Sequence, residues 1–122
     1  MKRFFDTVRE AFMKAVPMEI CQDGREILEA VTSDFIVPAS WGMCAVEPSD
    51  NGVSFMVNGF LHAGKVTVRK ASGQFEVILH MADGHEDIHG GFTRENLADA
   101  IDSLVERDER YRERVFESYL RP

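Results

Sequence analysis

Hydrophobic residues recur with a helical period near both ends of the chain and alternate with polar residues in its middle. Over residues 2–16 the apolar side chains stand three or four positions apart, which predicts an amphipathic helix. Residues 25–31 repeat that spacing, and Asp23 followed by Glu26 suits a capping box at the start of this second helix. Asp23-Gly24 also suits a tight turn, so a hairpin is the alternative at this position.

The period changes to two between residues 43 and 92, where short turn sequences separate runs of alternating residues. The predicted strands cover residues 43–46, 53–58, 65–69, 74–81 and 86–92, and the first of them ends before Pro48. Connections this short cannot cross over between parallel strands. We therefore expect an antiparallel meander of four or five strands, with the last run as a short edge strand.

The helical pattern resumes after Thr93, a residue that suits an N-cap, and no Gly or Pro interrupts residues 94–120. Its apolar stripe consists of Leu97, Ile101, Leu104, Val105, Tyr111, Val115, Phe116 and Tyr119. At 1.5 Å per residue one helix of this length would be about 40 Å long, which exceeds the width of such a sheet. We expect it to bend, to break near Asp108 or to reach a partner.

These patterns predict an α+β fold in which a four- to five-stranded antiparallel meander is flanked by N-terminal helices and a long C-terminal helix. The chain has 122 residues, of which 44% are hydrophobic, and this suits one domain over residues 1–122. No apolar run approaches the roughly 20 residues that span a bilayer. Charged residues interrupt the N-terminus where a signal peptide would stay apolar, so we expect a cytoplasmic protein without membrane contact.

Two cysteines, Cys21 and Cys44, are too few for a disulfide scaffold, and we expect reduced, mostly buried thiols. A bridge between them is the alternative. A cysteine nucleophile at Cys44 is disfavoured because no residue pattern supplies a partner that would orient a histidine. Since no other motif indicates a reaction, the chain is expected to be non-enzymatic.

The formal net charge of −7 argues against a general binder of nucleic acid, which needs a basic surface. Lys65, Arg69 and Lys70 form a basic cluster on a predicted strand, but neighbouring acids oppose a long polyanion. A protein this acidic could instead imitate nucleic acid and occupy the basic groove of another protein. The interspersion of acids with bases weakens that hypothesis.

One group of residues has the chemistry of a metal site. It consists of His80, His85, Asp87 and His89. A two-residue hairpin at Asp83-Gly84 would pair His80 with Asp87 and bring all four side chains to one face. Imidazoles and a carboxylate are ligands that zinc accepts, and an open position would allow metal-activated water. The alternative is a polar outer face of an edge hairpin, without a cofactor.

Apolar residues also fall on the sheet face predicted to be outer, namely Met56, Phe60 and Ile78. Together with the stripe Tyr111, Val115, Phe116 and Tyr119, they favour a surface for a protein partner or for self-association. The alternative is that helices on both faces of the sheet cover all of these residues within one chain. The leading hypothesis is therefore a small accessory or adaptor domain that acts through protein contacts. The zinc site and the nucleic-acid mimic are the alternatives.

Overall fold

The computed structural model describes residues 4–33, 41–59 and 61–105, and these residues have an α+β fold. Their elements are α1 (Phe4–Ala15), α2 (Gln22–Val31), β1 (Cys44–Ser49), β2 (Gly52–Asn58), β3 (Ala63–Ala71), β4 (Gln74–His80), β5 (Glu86–Phe92) and α3 (Leu97–Val105). The strands form one antiparallel sheet in the order β1-β2-β3-β4-β5. The predicted fold class and meander are confirmed, and none of the described helices is long and apolar enough to span a bilayer.

One face of the sheet, the inner face, packs against the helices. Its alternate residues are buried, as the period of two predicts. They are Val53, Phe55, Val57, Val66, Val68, Phe75, Val77 and Leu79. The helices bury Ile27, Leu28, Val31, Leu97, Ile101 and Val105 in the same core. The opposite face, the outer face, carries the polar alternation.

The start of α2 differs from the prediction. The helix begins at Gln22, and Cys21 is its N-cap, with the thiol Sγ accepting a hydrogen bond from the Gly24 amide at 3.4 Å. Gly24 lies inside the helix, so the hairpin alternative is wrong, and so is the capping role of Asp23. The reason is tertiary, because Gly24 is the point at which α2 touches β2. A Cβ at Gly24 would stand 2.5 Å from the carbonyl oxygen of Gly52.

Strand β1 also departs from the prediction, because it continues through Pro48 instead of stopping before it. Pro48 pairs with Val53, and an edge strand tolerates a proline because one side of it makes no ladder bonds. The β1–β2 register shifts between Cys44 and Glu47, which is a bulge. Within this bulge Ala45 has a φ of 52°, a conformation that non-glycine residues rarely adopt.

Three further predictions concern the cap at Thr93, the two cysteines and the C-terminal helix. Thr93 caps the turn over residues 94–96 that leads into α3, since its hydroxyl accepts from the Asn96 amide at 3.3 Å and Asn96 Oδ1 accepts from the Thr93 amide at 2.8 Å. Cys21 and Cys44 are free, and both are exposed, so the prediction of burial is wrong. The predicted helix over residues 94–120 can be followed to Val105. Its later stripe, Tyr111, Val115, Phe116 and Tyr119, lies outside the described residues.

Candidate functional site

The β4–β5 hairpin, which carries three of the four histidines, has a register one residue away from the prediction. His80 pairs with Glu86, and Leu79 pairs with Asp87. The loop is three residues long instead of two, because the Met81 amide donates to the His85 carbonyl at 2.8 Å. The Gly84 amide closes the turn on the Met81 carbonyl at 3.0 Å, with a φ of 89° at Gly84 that glycine adopts without strain.

The predicted register returns at the far end of the same hairpin. Phe75 pairs with Phe92, and a register shift separates this pair from Val77 and its partner His89. The extra residue is accommodated at Gly90-Gly91, where Gly91 has a φ of 82°. The bulge thus allows a three-residue turn at one end while Phe92 still packs against the core at the other.

This register separates His80 from Asp87 and His89, which belong to the same predicted zinc site. Asp87 and His89 oppose the inner-face residues Leu79 and Val77, whereas His80 lies on the outer face. His89 Nε2 instead approaches Asp87 Oδ2 at 2.9 Å, and His80 Nδ1 approaches Glu86 Oε1 at 3.7 Å. Across residues 4–33, 41–59 and 61–105, no three His, Cys, Asp or Glu side chains are placed to hold a metal ion. The predicted pairing of His80 with Asp87, on which the zinc hypothesis depended, is therefore wrong.

The outer face brings together a different group, a chain of hydrogen bonds that crosses three strands. Ser54 Oγ and Thr67 Oγ1 are 2.8 Å apart, and Thr67 Oγ1 is 2.8 Å from His80 Nε2. Glu86 stands beyond the other ring nitrogen of His80. We call Ser54, Thr67, His80 and Glu86 the hydroxyl–imidazole chain. Ser54 and Thr67 are 4% and 8% exposed, so their hydroxyls need these partners.

Each hydroxyl in this group can donate or accept, and the role of His80 Nε2 depends on the imidazole tautomer. At 3.7 Å the Glu86 carboxylate is too far for a direct hydrogen bond, but it favours the imidazole tautomer that carries its proton on Nδ1. Nε2 of His80 then accepts from the Thr67 hydroxyl. With that tautomer, Thr67 Oγ1 can accept in turn from Ser54, and the hydrogen bonds would then run from Ser54 towards His80.

A cavity of about 220 Å³ lies beside Ser54 at the β1–β2 side of the outer face. Lys65, Glu47, Met56 and the strained Ala45 line it with Ser54. The sequence pattern places Ser54, Thr67 and His80 on polar positions of three strands. It does not reveal their proximity, because that depends on two strand registers.

The remaining predicted residues are distributed differently. Arg69 pairs with Glu76 at 2.8 Å and Lys70 with Glu26 at 3.4 Å, so acids neutralise two members of the basic cluster. Ile78 is buried at 5% exposure, whereas Met56 is 40% exposed. Phe60, the third apolar residue of the predicted outer face, lies outside the described residues.

Comparisons of this chain with protein-family profiles, with curated proteins and with solved structures find no match.

Proposed function

We propose that this domain acts through protein–protein contact, as an accessory or adaptor type of protein, and that its partner is a second copy of the same chain. The contact surface is the β4–β5 half of the outer face around the exposed Ile88, which we call the isoleucine patch. The observation that carries the proposal is Ile88, which is 52% exposed although it pairs directly with the buried Ile78. Covering it is favourable, at roughly 25 cal/mol per Å² of apolar surface.

The edges of the sheet are poor sites for a partner strand. Strand β1 contains Pro48, which has no amide proton to donate to a further strand, and the bulge at Ala45, which makes its edge irregular. The bulge at Gly90-Gly91 interrupts β5, whose first two residues, Glu86 and Asp87, are acidic. Prolines, bulges and charges are the features by which edge strands avoid further pairing. These features favour the face of the sheet over its edges as the contact surface.

The occupant that we propose for the isoleucine patch is residues 106–120 of the second copy. Their apolar stripe, Tyr111, Val115, Phe116 and Tyr119, is predicted from the sequence to lie on one side of a helix. The chain enters this segment at Val105, whose carbonyl accepts from the amides of Leu61 at 2.8 Å and His62 at 3.2 Å. That loop joins β2 to β3 at the end of the sheet where His80 and Glu86 lie.

The sizes of the two surfaces also suit each other. A helix about 10 Å across covers two strands that are about 4.8 Å apart, which matches the β4–β5 half of the face. A reciprocal exchange between two copies makes this contact twice, which is the symmetry that most homodimers have.

Light scattering over a range of concentrations tests the proposal. We expect the unaltered chain to dimerise, and Ile88→Arg and Phe116→Arg each to weaken dimerisation at least about tenfold, as for a central apolar contact. Met18→Arg is the matched control, because Met18 is 88% exposed and lies away from the patch. We expect it to leave the dimer intact.

Either of two results would overturn the proposal. One is a chain that stays monomeric at every concentration. The other is a dimer that both Ile88→Arg and Phe116→Arg leave unchanged. Fluorescence of Trp41, which is buried and is the single tryptophan, shows whether each variant is folded. If Phe116→Arg unfolds the chain, the stripe belongs to the core of its own copy and the proposed occupant is wrong.

A further inference from the structure

We propose that Ser54 is a nucleophile that accepts a short acyl group from a neutral ester, with Thr67 and His80 as its proton relay. The inference goes beyond protein contact and does not depend on it. Ser54 and its cavity lie at the β1–β2 side of the outer face, whereas the isoleucine patch occupies the β4–β5 side. A partner on that patch would lie over His80 and Glu86 but would leave the cavity beside Ser54 open.

The hydrogen bonds from Ser54 through Thr67 to His80 can carry a proton from the serine hydroxyl to the imidazole. A serine hydroxyl becomes nucleophilic when a base is positioned to take its proton. Here the base is His80 Nε2, which Thr67 Oγ1 reaches at 2.8 Å, and Ser54 Oγ lies 2.8 Å beyond Thr67. Glu86 near Nδ1 stabilises the imidazolium that forms. His80, Thr67 and Glu86 are therefore positioning residues, and Ser54 is the catalytic residue.

The cavity beside Ser54 indicates which class of substrate would fit. Its volume of about 220 Å³ is smaller than the roughly 300–1,000 Å³ of pockets for larger ligands, so it suits an acyl group of a few atoms. Lys65 supplies a cation that can stabilise the negative charge developing on the carbonyl oxygen. Glu47 lines the same cavity and disfavours anionic substrates by charge repulsion.

Ala45 lines the same cavity, and its backbone has a φ of 52°. A left-handed backbone is unfavourable for alanine, and such strain concentrates at functional sites.

The reaction has two balanced steps. Ser54 Oγ forms a bond to the acyl carbon while its proton passes to Thr67 and the Thr67 proton passes to His80 Nε2. The ester C–O bond then breaks, and the alcohol leaves with the proton returned through the same relay. In the second step water attacks the acyl-serine, gives its proton to the relay, and releases the carboxylic acid with Ser54 restored.

Hydrolysis of p-nitrophenyl acetate by the full chain tests this inference, together with peptide mapping of the acetylated residue. We expect acetyl on Ser54, and we expect Ser54→Ala to abolish turnover. Thr67→Val breaks the relay and should lower kcat on the order of 100-fold without raising KM, whereas Thr67→Ser keeps the hydroxyl and should retain activity. Glu86→Gln, at a 52%-exposed side chain, should lower kcat and leave the fold intact.

Ser103→Ala is the matched control, because Ser103 is exposed on α3 and its hydroxyl donates to the Asp99 carbonyl at 2.9 Å. It should leave the rate unchanged. The inference is overturned if acetyl is found on Lys65 or elsewhere instead of Ser54, or if folded Ser54→Ala keeps the rate. It is equally overturned if Glu86→Gln and Thr67→Val, both folded by Trp41 fluorescence, have the unaltered kcat. If the chain does not dimerise, the esterase assay and the peptide mapping still test this inference.

Discussion

Replacing Gly24 by alanine sets two physical effects against each other. Gly24 has ordinary helical backbone inside α2, so helix propensity alone predicts that alanine stabilises the fold by about 1 kcal/mol. The packing predicts the reverse. The new Cβ would stand 2.5 Å from the Gly52 carbonyl oxygen and 2.6 Å from Ile20 Cγ2. Both distances are shorter than real Cβ contacts allow, so α2 and β2 must separate.

Neither neighbour can yield easily. Ile20 is 3% exposed in the core. Gly52 packs closely against the backbone of β3, since a Cβ built on Gly52 would stand 2.7 Å from the Cα of Arg69. Overpacking by one carbon costs about 1–3 kcal/mol, and a clash with backbone belongs at the upper end. Moving Gly24 also weakens the hydrogen bond from its backbone amide to the Cys21 thiol, a capping interaction that contributes about 1 kcal/mol. After the propensity gain, we expect Gly24→Ala to lower the free energy of unfolding by about 2–3 kcal/mol.

Urea unfolding followed by the fluorescence of Trp41 measures this difference. Gln22→Ala is the control, since Gln22 is exposed in the same helix and should change stability by less than about 0.5 kcal/mol. If Gly24→Ala is as stable as the unaltered chain or more stable, α2 does not touch β2 at this point. The packing that positions β2, and Ser54 on it, would then be wrong.

Three further substitutions give expectations for the same urea assay. Asp102→Leu removes the acceptor that lies 2.8 Å from Nε1 of the buried Trp41, and it should cost about 1–3 kcal/mol, whereas Asp102→Asn should cost less; equal losses would contradict this bond. Ser72→Asn should stabilise the chain by about 0.5–1 kcal/mol, because Ser72 and Gly73 both have positive φ and Asn-Gly is the preferred pair for such a turn; a loss of stability would argue against that turn. Cys21→Ser should stabilise by about 0.5–1 kcal/mol, since oxygen accepts from an amide better than sulfur does, and a destabilised variant would show that the thiol packs as an apolar group.

The success of the strand predictions has a local cause. The alternation of Val53, Phe55 and Val57 records which side of β2 faces the core, and the short connections exclude parallel crossovers. Each of these patterns extends over only a few consecutive residues. The element order, the meander and the buried face of the sheet could therefore be predicted without knowledge of the packing.

The partners across the sheet could not be predicted in this way, because register depends on the sum of many distant contacts. Asp83-Gly84 fits a two-residue turn as well as the three-residue turn that forms, and the bulge at Gly90-Gly91 absorbs the difference. That one-residue shift takes His80 away from Asp87 and opposite Glu86. Pairing across four strands then brings the hydroxyl–imidazole chain together. The face on which a residue lies follows from its own strand, but its neighbours depend on all the registers between the strands.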